Sequence, residues 1–280
     1  MQAADARAAA RRLDLDVEVV FAENNALQQI HQLFKYIHAP EGQRPAAIIV
    51  EEVSRDGMER LARNALKAGI GWIAQQWKAE YIEKLRREKP TVLLASVSVD
   101  EEEIGRIQAG QFRAILGENG GVLLCQGPPE SAPAAGRLRG LQAALKGTGI
   151  ALKGIIPADW TTKGAEAAVL SWLRLKTSES GIDLVGSQND SMALGARKAI
   201  LEHRKEWSRV PLTGCDGLPE GGMRMVDKGQ LAATIIKPTT TGAALEMVSR
   251  TLQGHPAPPE IVLQARSYPP LETLARTGRV

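Results

Sequence analysis

The chain has 280 residues, of which 44% are hydrophobic and 24% charged, and its formal net charge at pH 7 is +3. This length and composition are ordinary for a globular protein with two medium-sized domains or one large domain. The small net charge includes no basic block, which gives no electrostatic support for binding nucleic acid.

Neither the cysteines nor the histidines form a recognisable site. Cys125 and Cys215 lie in separate apolar runs, without the spacing of a CxxC motif, and we interpret them as core thiols. The histidines are scattered, with no HExxH motif and no Ser/His/Asp order. The sequence therefore predicts no catalytic residues, no metal site and no cofactor.

The start of the chain bears on localisation. No apolar stretch approaches the roughly 18 residues that cross a bilayer. The opening MQAADARAAARRLDLD is charged and helix-like, without the apolar core of an export signal. Two expectations follow: the protein is cytoplasmic, or it is periplasmic or cell-envelope and its signal peptide lies upstream of Met1.

Short apolar strands alternate with amphipathic helices along the chain. Up to residue 99 we expect a helix at 3–13, a strand at 17–22, a helix at 26–37, a strand at 46–50, a helix at 56–68, a strand at 70–74, a helix at 79–88 and a strand at 91–97. Beyond it we expect helices at 103–116, 134–146, 163–176, 191–203, 221–228 and 239–252, alternating with strands at 121–126, 150–157, 182–187, 211–215, 231–236 and 261–263. The pattern predicts an α/β fold with two doubly wound parallel sheets.

Polar and aromatic side chains gather directly after the predicted strands, where open parallel sheets bind ligands. They are Glu51, residues 75–77, Asp100, residues 126–129, Asp159, Trp160, Asn189, Asp190, Asp216 and Lys237. Such groups can hydrogen-bond sugar hydroxyls, and indole rings can cover the C–H faces of a sugar. Any single Asp or Asn among them could instead cap a helix.

Five segments, taken together, carry a resemblance to a known family. They are FAENNALQQIHQL from residue 21, VSVDEEEIGRIQAG from residue 97, SAPAAGRLRGLQAAL from residue 131, SQNDSMALGARKAI from residue 187 and VPLTGCDGLPEGGMRMVDKGQLAATIIKP from residue 210. In order and spacing they resemble type 1 periplasmic binding proteins, and the ribose-binding members above all, over residues 3–264. The effector cores of lac-repressor-type regulators share this fold.

The resemblance implies two lobes joined by three crossovers. Residues 1–99 and 238–264 would form the N-terminal lobe, and residues 100–237 and 265–280 the C-terminal lobe. The family begins with a strand before its first helix, whereas Met1 falls inside that helix. The N-terminal lobe is therefore expected to lack its first strand, which would leave backbone groups unpaired. A start codon assigned too far downstream would account for this.

The resemblance also implies ligand-binding positions. Arg137 matches an arginine that grips sugar hydroxyls, and Asn189 matches the amide that follows a strand. Asp216 matches the carboxylate of a G-(F)-D-G turn, and Trp160 falls where an aromatic ring often stacks on the sugar. A buried Asp beside an Arg stays ionised and can accept two hydroxyl hydrogen bonds.

Other positions depart from the family pattern. Cys215 replaces a common Phe, Lys237 and Glu51 replace neutral amides, and Gln76 and Trp77 fall where Asp-Arg is usual. Glu51, Gln76, Trp77 and Lys237 complete the predicted ligand-binding set. The Lys and the Glu could indicate an amino sugar, a sugar acid or a polyol, or they could pair with each other when no ligand is bound.

The leading hypothesis is a non-enzymatic, sugar-type solute-binding protein. A sugar, polyol or sugar derivative would bind between the lobes and favour a closed form, which an ABC transporter permease or a membrane sensor would read. The alternative is the effector-binding core of a lac-repressor-type transcription regulator, although the sequence shows no helix-turn-helix. A nucleotide-dependent enzyme has less support, because no GxGxxG motif or P-loop follows a predicted strand.

The adjacent pair Asn189 and Asp190 is expected to divide two roles. Asp190 would cap the helix that starts at residue 191, and Asn189, one residue nearer the strand, would face the ligand.

Overall fold

The computed structural model describes residues 2–54, 56–76, 80–88, 92–175 and 181–277. Residues 275–277 are described by their backbone alone. Residues 79, 91 and 176, at the ends of predicted elements, lie outside these ranges, as does Trp77. No helix within them is long and apolar enough to span a membrane. The chain divides into an N-terminal unit, Met1–Val99 with Pro238–Leu263, and a C-terminal unit, Asp100–Lys237 with Gln264–Val280, so that the backbone crosses from one to the other three times.

The N-terminal unit is built around a parallel sheet. Its helices are α1 (Gln2–Leu13), α2 (Ala26–Ile37), α3 (Met58–Lys67), α4 (Glu80–Glu88) and α10 (Thr241–Leu252). Its strands are β1 (Ala47–Glu51), β2 (Gly71–Gln76), β3 (Leu94–Val99) and β9 (Glu260–Leu263), paired in the order β1-β2-β3-β9. The inner strands β2 and β3 are buried along their whole length, as expected of a parallel sheet with helices on both faces.

The C-terminal unit is also built around a parallel sheet. Its helices are α5 (Glu101–Leu116), α6 (Ala132–Leu145), α7 (Thr162–Leu173), α8 (Asp190–His203), α9 (Arg224–Asp227) and α11 (Leu271–Thr277). Its strands are β4 (Asn119–Gln126), β5 (Gly149–Pro157), β6 (Leu184–Ser187), β7 (Leu212–Thr213), β8 (Thr234–Ile236) and β10 (Arg266–Tyr268). A parallel sheet has the order β5-β4-β6-β7, and β8 pairs with β10 in antiparallel fashion.

Helices α5 and α6 approach each other at the level of their backbones. A Cβ atom on Gly105 of α5 would lie 2.1 Å from the Arg137 carbonyl oxygen, and one on Gly140 of α6 would lie 1.9 Å from the Glu102 carbonyl oxygen. Only glycine leaves room for such a crossing. Asp100 caps α5, its Oδ1 accepting from the Glu102 and Glu103 amides at 2.8 and 3.0 Å. The start of α5 is thereby fixed against the first turns of α6.

The alternation of strands and helices is confirmed, but the strand predicted at 17–22 is wrong. These residues form no strand, although Leu15, Val17 and Val19 are half-buried and pack around Ala6 and Ala9 of α1. An alternating pattern indicates side chains that can share a face, but it does not show that a neighbouring strand is present to pair with. In the described residues no strand precedes β1, which forms one edge of its sheet.

Smaller differences concern the C-terminal unit. The strands expected at 211–215 and 231–236 are shorter, as β7 and β8, and the chain turns soon after β7 at Asp216 and Gly217, both with positive φ. The helix expected at 221–228 is a wide turn at Pro219–Met223 followed by α9. The short elements β10 and α11 were not predicted, since three-residue strands and seven-residue helices carry little periodicity.

Candidate functional site

Arg137, on α6, lies at the centre of the candidate site and is 3% exposed. Its Nε donates to Glu101 Oε2 at 2.7 Å, and its Nη1 donates to the carbonyl oxygen of Gln188, which follows β6. The guanidinium carbon lies 5.6 Å from the centroid of the Trp160 ring, within cation–π distance. Arg137 therefore connects α5, the end of β6 and the residue that follows β5.

Glu101, the first residue of α5, joins two cations of the site and was missed by the sequence interpretation. Its Oε2 pairs with Arg137, and its Oε1 lies 3.0 Å from Lys237 Nζ. Burial alone would raise the pKa of Glu101, but Arg137 and Lys237 hold it below its ordinary value. Lys237 thus has an ionic partner in Glu101.

Asp216 has its backbone fixed but its carboxylate open. With φ at 112°, it donates its amide to the Ile235 carbonyl oxygen at 3.0 Å and accepts from the Lys237 amide at 3.2 Å. Its carboxylate accepts no hydrogen bond from any residue that the structure describes. Burial raises the pKa of Asp216, while the charges of Arg137 and Lys237 act in the opposite direction. This carboxylate is the free acceptor of the site.

Trp160 follows β5 and is half-buried, with φ at 69°. Its indole packs directly on the backbone after β4, since a Cβ atom on Gly127 would lie 2.1 Å from the ring. Its carbonyl oxygen accepts from Asn189 Nδ2 at 2.9 Å. The ring therefore packs against Gly127 and lies near the Arg137 guanidinium, while Asn189 fixes the Trp160 backbone through its carbonyl oxygen.

The capping role expected of Asp190 belongs to Asn189. Asn189 caps α8, since its backbone is extended and its Oδ1 accepts from the Met192 amide at 2.7 Å. Asp190 is already the first helical residue, so its side chain cannot cap in this way. Its carboxylate instead accepts from Thr234 Oγ1 at 2.6 Å and from the Gly217 amide at 2.8 Å. The prediction that Asp190 caps the helix is therefore wrong.

Two of the predicted positions, Glu51 and Gln76, are the last residues of β1 and β2 in the N-terminal unit. Gln76 is buried and has φ at 79°, whereas the Glu51 side chain is exposed. Trp77 lies outside the described residues. The carbonyl oxygen of Glu51 accepts from Gln29 Nε2 at 2.8 Å, and Gln29 Oε1 accepts from the Val53 amide at 2.9 Å. The Gln29 side chain, which sequence reasoning did not single out, thus hydrogen-bonds two backbone groups at the end of β1.

The two cysteines take no part in this chemistry. Cys125 and Cys215 are free and buried, and burial raises the pKa of each thiol to about 12. Within the described ranges no cluster of three or more His, Cys, Asp or Glu side chains could hold a metal ion. The C-terminal unit instead brings together two cations, two carboxylates and an indole, a set suited to binding polar groups through hydrogen bonds.

Comparison with known proteins identifies the family. A family model described as a periplasmic binding protein domain matches residues 2–256. The ribose import binding protein RbsB of Salmonella typhimurium is 30% identical over 185 residues, which are 65% of this chain and 60% of that protein. The xylitol-binding protein of Mycolicibacterium smegmatis is 26% identical over 244 residues, 85% of this chain and 65% of that protein. Each match spans less than two thirds of the relative's own length.

Solved structures share the fold. A periplasmic solute-binding protein of an ABC transporter from Actinobacillus succinogenes, with bound D-allose, has a TM-score of 0.82 at 22% identity, covering 98% of this chain and 93% of that one. The Caulobacter myo-inositol binding protein has a TM-score of 0.79 at 19% identity, covering 100% and 92%. The expected family and fold are confirmed, and the chain belongs to the periplasmic binding protein family.

Proposed function

We propose that this chain is a non-enzymatic, sugar-type solute-binding protein whose C-terminal unit holds a neutral sugar or polyol. The observation that carries this proposal is the open carboxylate of Asp216 in the field of the Arg137 guanidinium, which in turn faces the Trp160 ring. A carboxylate with free lone pairs accepts hydrogen bonds from two hydroxyls, and an indole supplies an apolar surface for C–H groups.

The charges of the site favour a neutral ligand. Arg137 and Lys237 are balanced by Glu101 and Asp216, and both cations already face Glu101. A sugar acid would bring a further negative charge close to these two carboxylates, and an amino sugar would bring a positive charge close to the two cations. Such buried charges are costly unless they are paired. Of the ligands considered from sequence, a polyol or an unmodified sugar fits best.

The relatives support the same class of ligand. They are named for ribose, for galactose and methyl-galactoside, and for xylitol, and the solved structures contain D-allose and myo-inositol. These names support solute binding rather than the alternative, a regulator's effector core. By the same reasoning we infer a periplasmic location, with an ABC transporter permease or a membrane sensor as the partner and without a role for nucleic acid.

Thermal-shift and calorimetric titrations test this proposal. D-ribose, D-galactose, xylitol, D-allose and myo-inositol are compared with D-glucuronate and D-glucosamine as charged controls. At a concentration of about 100 times its Kd, a ligand stabilises the folded state by about 2.7 kcal/mol, which raises Tm measurably. We expect a neutral compound to do so, and Asp216→Asn to weaken its binding, whereas the exposed Asp227→Asn does not. Stabilisation by the charged compounds alone would contradict the proposal.

A further inference from the structure

We propose that Asp190 is a positioning residue of this site, which holds the backbone on both sides of Asp216 and so fixes the direction of the Asp216 carboxylate. The inference rests on the proposed function in one respect, which is that the Asp216 carboxylate contacts the ligand. Asp190 itself is 6% exposed and acts through its neighbour.

Asp190 binds the residue before Asp216 and the residue after it. Its amide donates to the Cys215 carbonyl oxygen at 2.7 Å, and its Oδ2 accepts from the Gly217 amide at 2.8 Å. From the opposite side, Asp216 is bonded through its own amide to Ile235 and through its carbonyl to Lys237. A positive φ is unfavourable for a residue with a Cβ and persists only where the surroundings fix it. Asp190 supplies half of those fixing contacts.

The surrounding chain leaves a close-fitting space for the Asp190 carboxylate. A Cβ atom on Gly214 would lie 2.2 Å from Oδ1, and one on Gly222 would lie 2.1 Å from Oδ2. Thr234 Oγ1 donates to Oδ1 at 2.6 Å. Any side chain at these two glycines would displace the carboxylate, so the enclosure is specific to it. A residue that only began a helix would need no such enclosure.

The charged and titratable groups that face Asp190 are few. Asp216 and Cys215 belong to the turn that Asp190 holds, and Arg137 faces it from α6. Burial is the main cause that raises the pKa of Asp190 to about 7, while the hydrogen bonds from Thr234 and Gly217 act against it. Protonation of Oδ1 is compatible with both bonds, because the Thr234 hydroxyl can also accept.

The first experiment measures amide hydrogen exchange in the ligand-free protein. Asp190→Ala removes both acceptors, and we expect protection of the Gly217 amide to fall about tenfold or more. Asp190→Asn keeps one acceptor for Gly217 and one donor for Thr234, so its protection should stay within about threefold of the wild type. The control is Asp183→Ala, which removes a similar bond to the Gly121 amide, 2.7 Å long, and should leave Gly217 unchanged.

The second experiment measures binding of D-ribose and xylitol by calorimetry. We expect Asp190→Ala to weaken binding about tenfold, Asp190→Asn to restore most of it, and Asp183→Ala to have no effect. If the wild type binds neither compound nor any other of the panel, the proposed function fails, whereas hydrogen exchange still decides the role of Asp190. Wild-type exchange at Gly217 in Asp190→Ala, or an Asn variant as impaired as the Ala variant, would overturn the inference.

A third measurement serves if Asp190→Ala does not fold. The Gly217 amide chemical shift is followed by NMR as the pH of the wild type is raised. We expect a transition near the Asp190 pKa of about 7, which is absent in Asp190→Asn. A Gly217 transition of equal size in both proteins would show that the Gly217 amide does not respond to the Asp190 carboxylate, against the 2.8 Å bond on which the inference rests.

Discussion

The sheets of the two units wind in different ways. In the C-terminal sheet, β5 lies on one side of β4, and β6 and β7 lie on the other, so the chain reverses its direction of winding next to β4. The described N-terminal sheet runs β1-β2-β3-β9 in a single direction, with β1 at its edge. Ligands of open α/β sheets bind where the winding reverses, because the connections on the two sides separate there. The strand order of the C-terminal sheet contains such a reversal.

The site residues follow from that reversal. Trp160 comes after β5, and Asn189 comes after β6. Between them, the Gly127 amide after β4 donates to Gln188 Oε1 at 3.0 Å, which joins the two diverging connections. In the N-terminal unit, by contrast, the end of β1 is completed by a side chain. The carboxamide of Gln29 donates to one backbone group and accepts from another, as a residue of a neighbouring strand would.

Arg137→Ala is the change with the largest expected effect and the strongest test of this contrast. The change leaves the buried Glu101 with Lys237 as its remaining cationic partner. It also removes the Arg137 hydrogen bond to the Gln188 carbonyl oxygen. Breaking a buried pair in this way costs about 3–5 kcal/mol in the free energy of unfolding. Urea denaturation gives the total, and hydrogen exchange should place the loss in the C-terminal unit while β2 keeps its protection.

Arg139→Ala is the matched control on the same helix. Arg139 is exposed and pairs with Glu102, so its removal should cost no more than about 0.5 kcal/mol. Equal losses for the two arginines, or a loss of protection in β2, would contradict the view that the site is part of the C-terminal core.

Gln29→Ala tests the edge of the N-terminal sheet. The change removes two hydrogen bonds from a side chain that is 9% exposed, and we expect the unfolding free energy to fall by about 1–2 kcal/mol. The neighbouring Gln32→Ala removes one bond to the Phe21 carbonyl oxygen in an exposed setting and should cost less than about 0.5 kcal/mol. If the Val53 amide exchanges no faster in Gln29→Ala, the side chain does not complete the strand.

Apart from the control variants, Asn189→Ala should have the smallest effect. Loss of an N-cap costs about 1 kcal/mol in the unfolding free energy, and Thr161→Ala, which removes the cap of α7, should cost a similar amount. Urea denaturation of both variants, together with exchange of the Met192 and Gly164 amides, gives the comparison. Unchanged Met192 exchange in Asn189→Ala would contradict the role of Asn189 as the cap of α8.

Local patterns were enough to predict the alternation of strands and helices and most of the residues around Arg137. They failed where a contact is distant in sequence or a boundary shifts by one residue. Glu101 looks like an ordinary acidic residue at the start of a helix, and its partner Arg137 lies 36 positions away. The cap of α8 is Asn189 and not Asp190, because the helix begins one residue earlier than its apolar pattern indicated, within the usual error of such boundaries. At 17–22, the alternation of apolar and polar residues indicates which side chains share a face, but it does not indicate that a neighbouring strand is present.

The two enclosed cysteines have a practical consequence for measuring ligand binding. A thiol reacts as its thiolate, and a buried thiol whose pKa is about 12 supplies almost none at neutral pH. A cysteine introduced on the surface will therefore be the single residue that maleimide dyes modify in the folded protein, with both native cysteines left in place. The wild-type scaffold is already suited to carrying one fluorescent reporter.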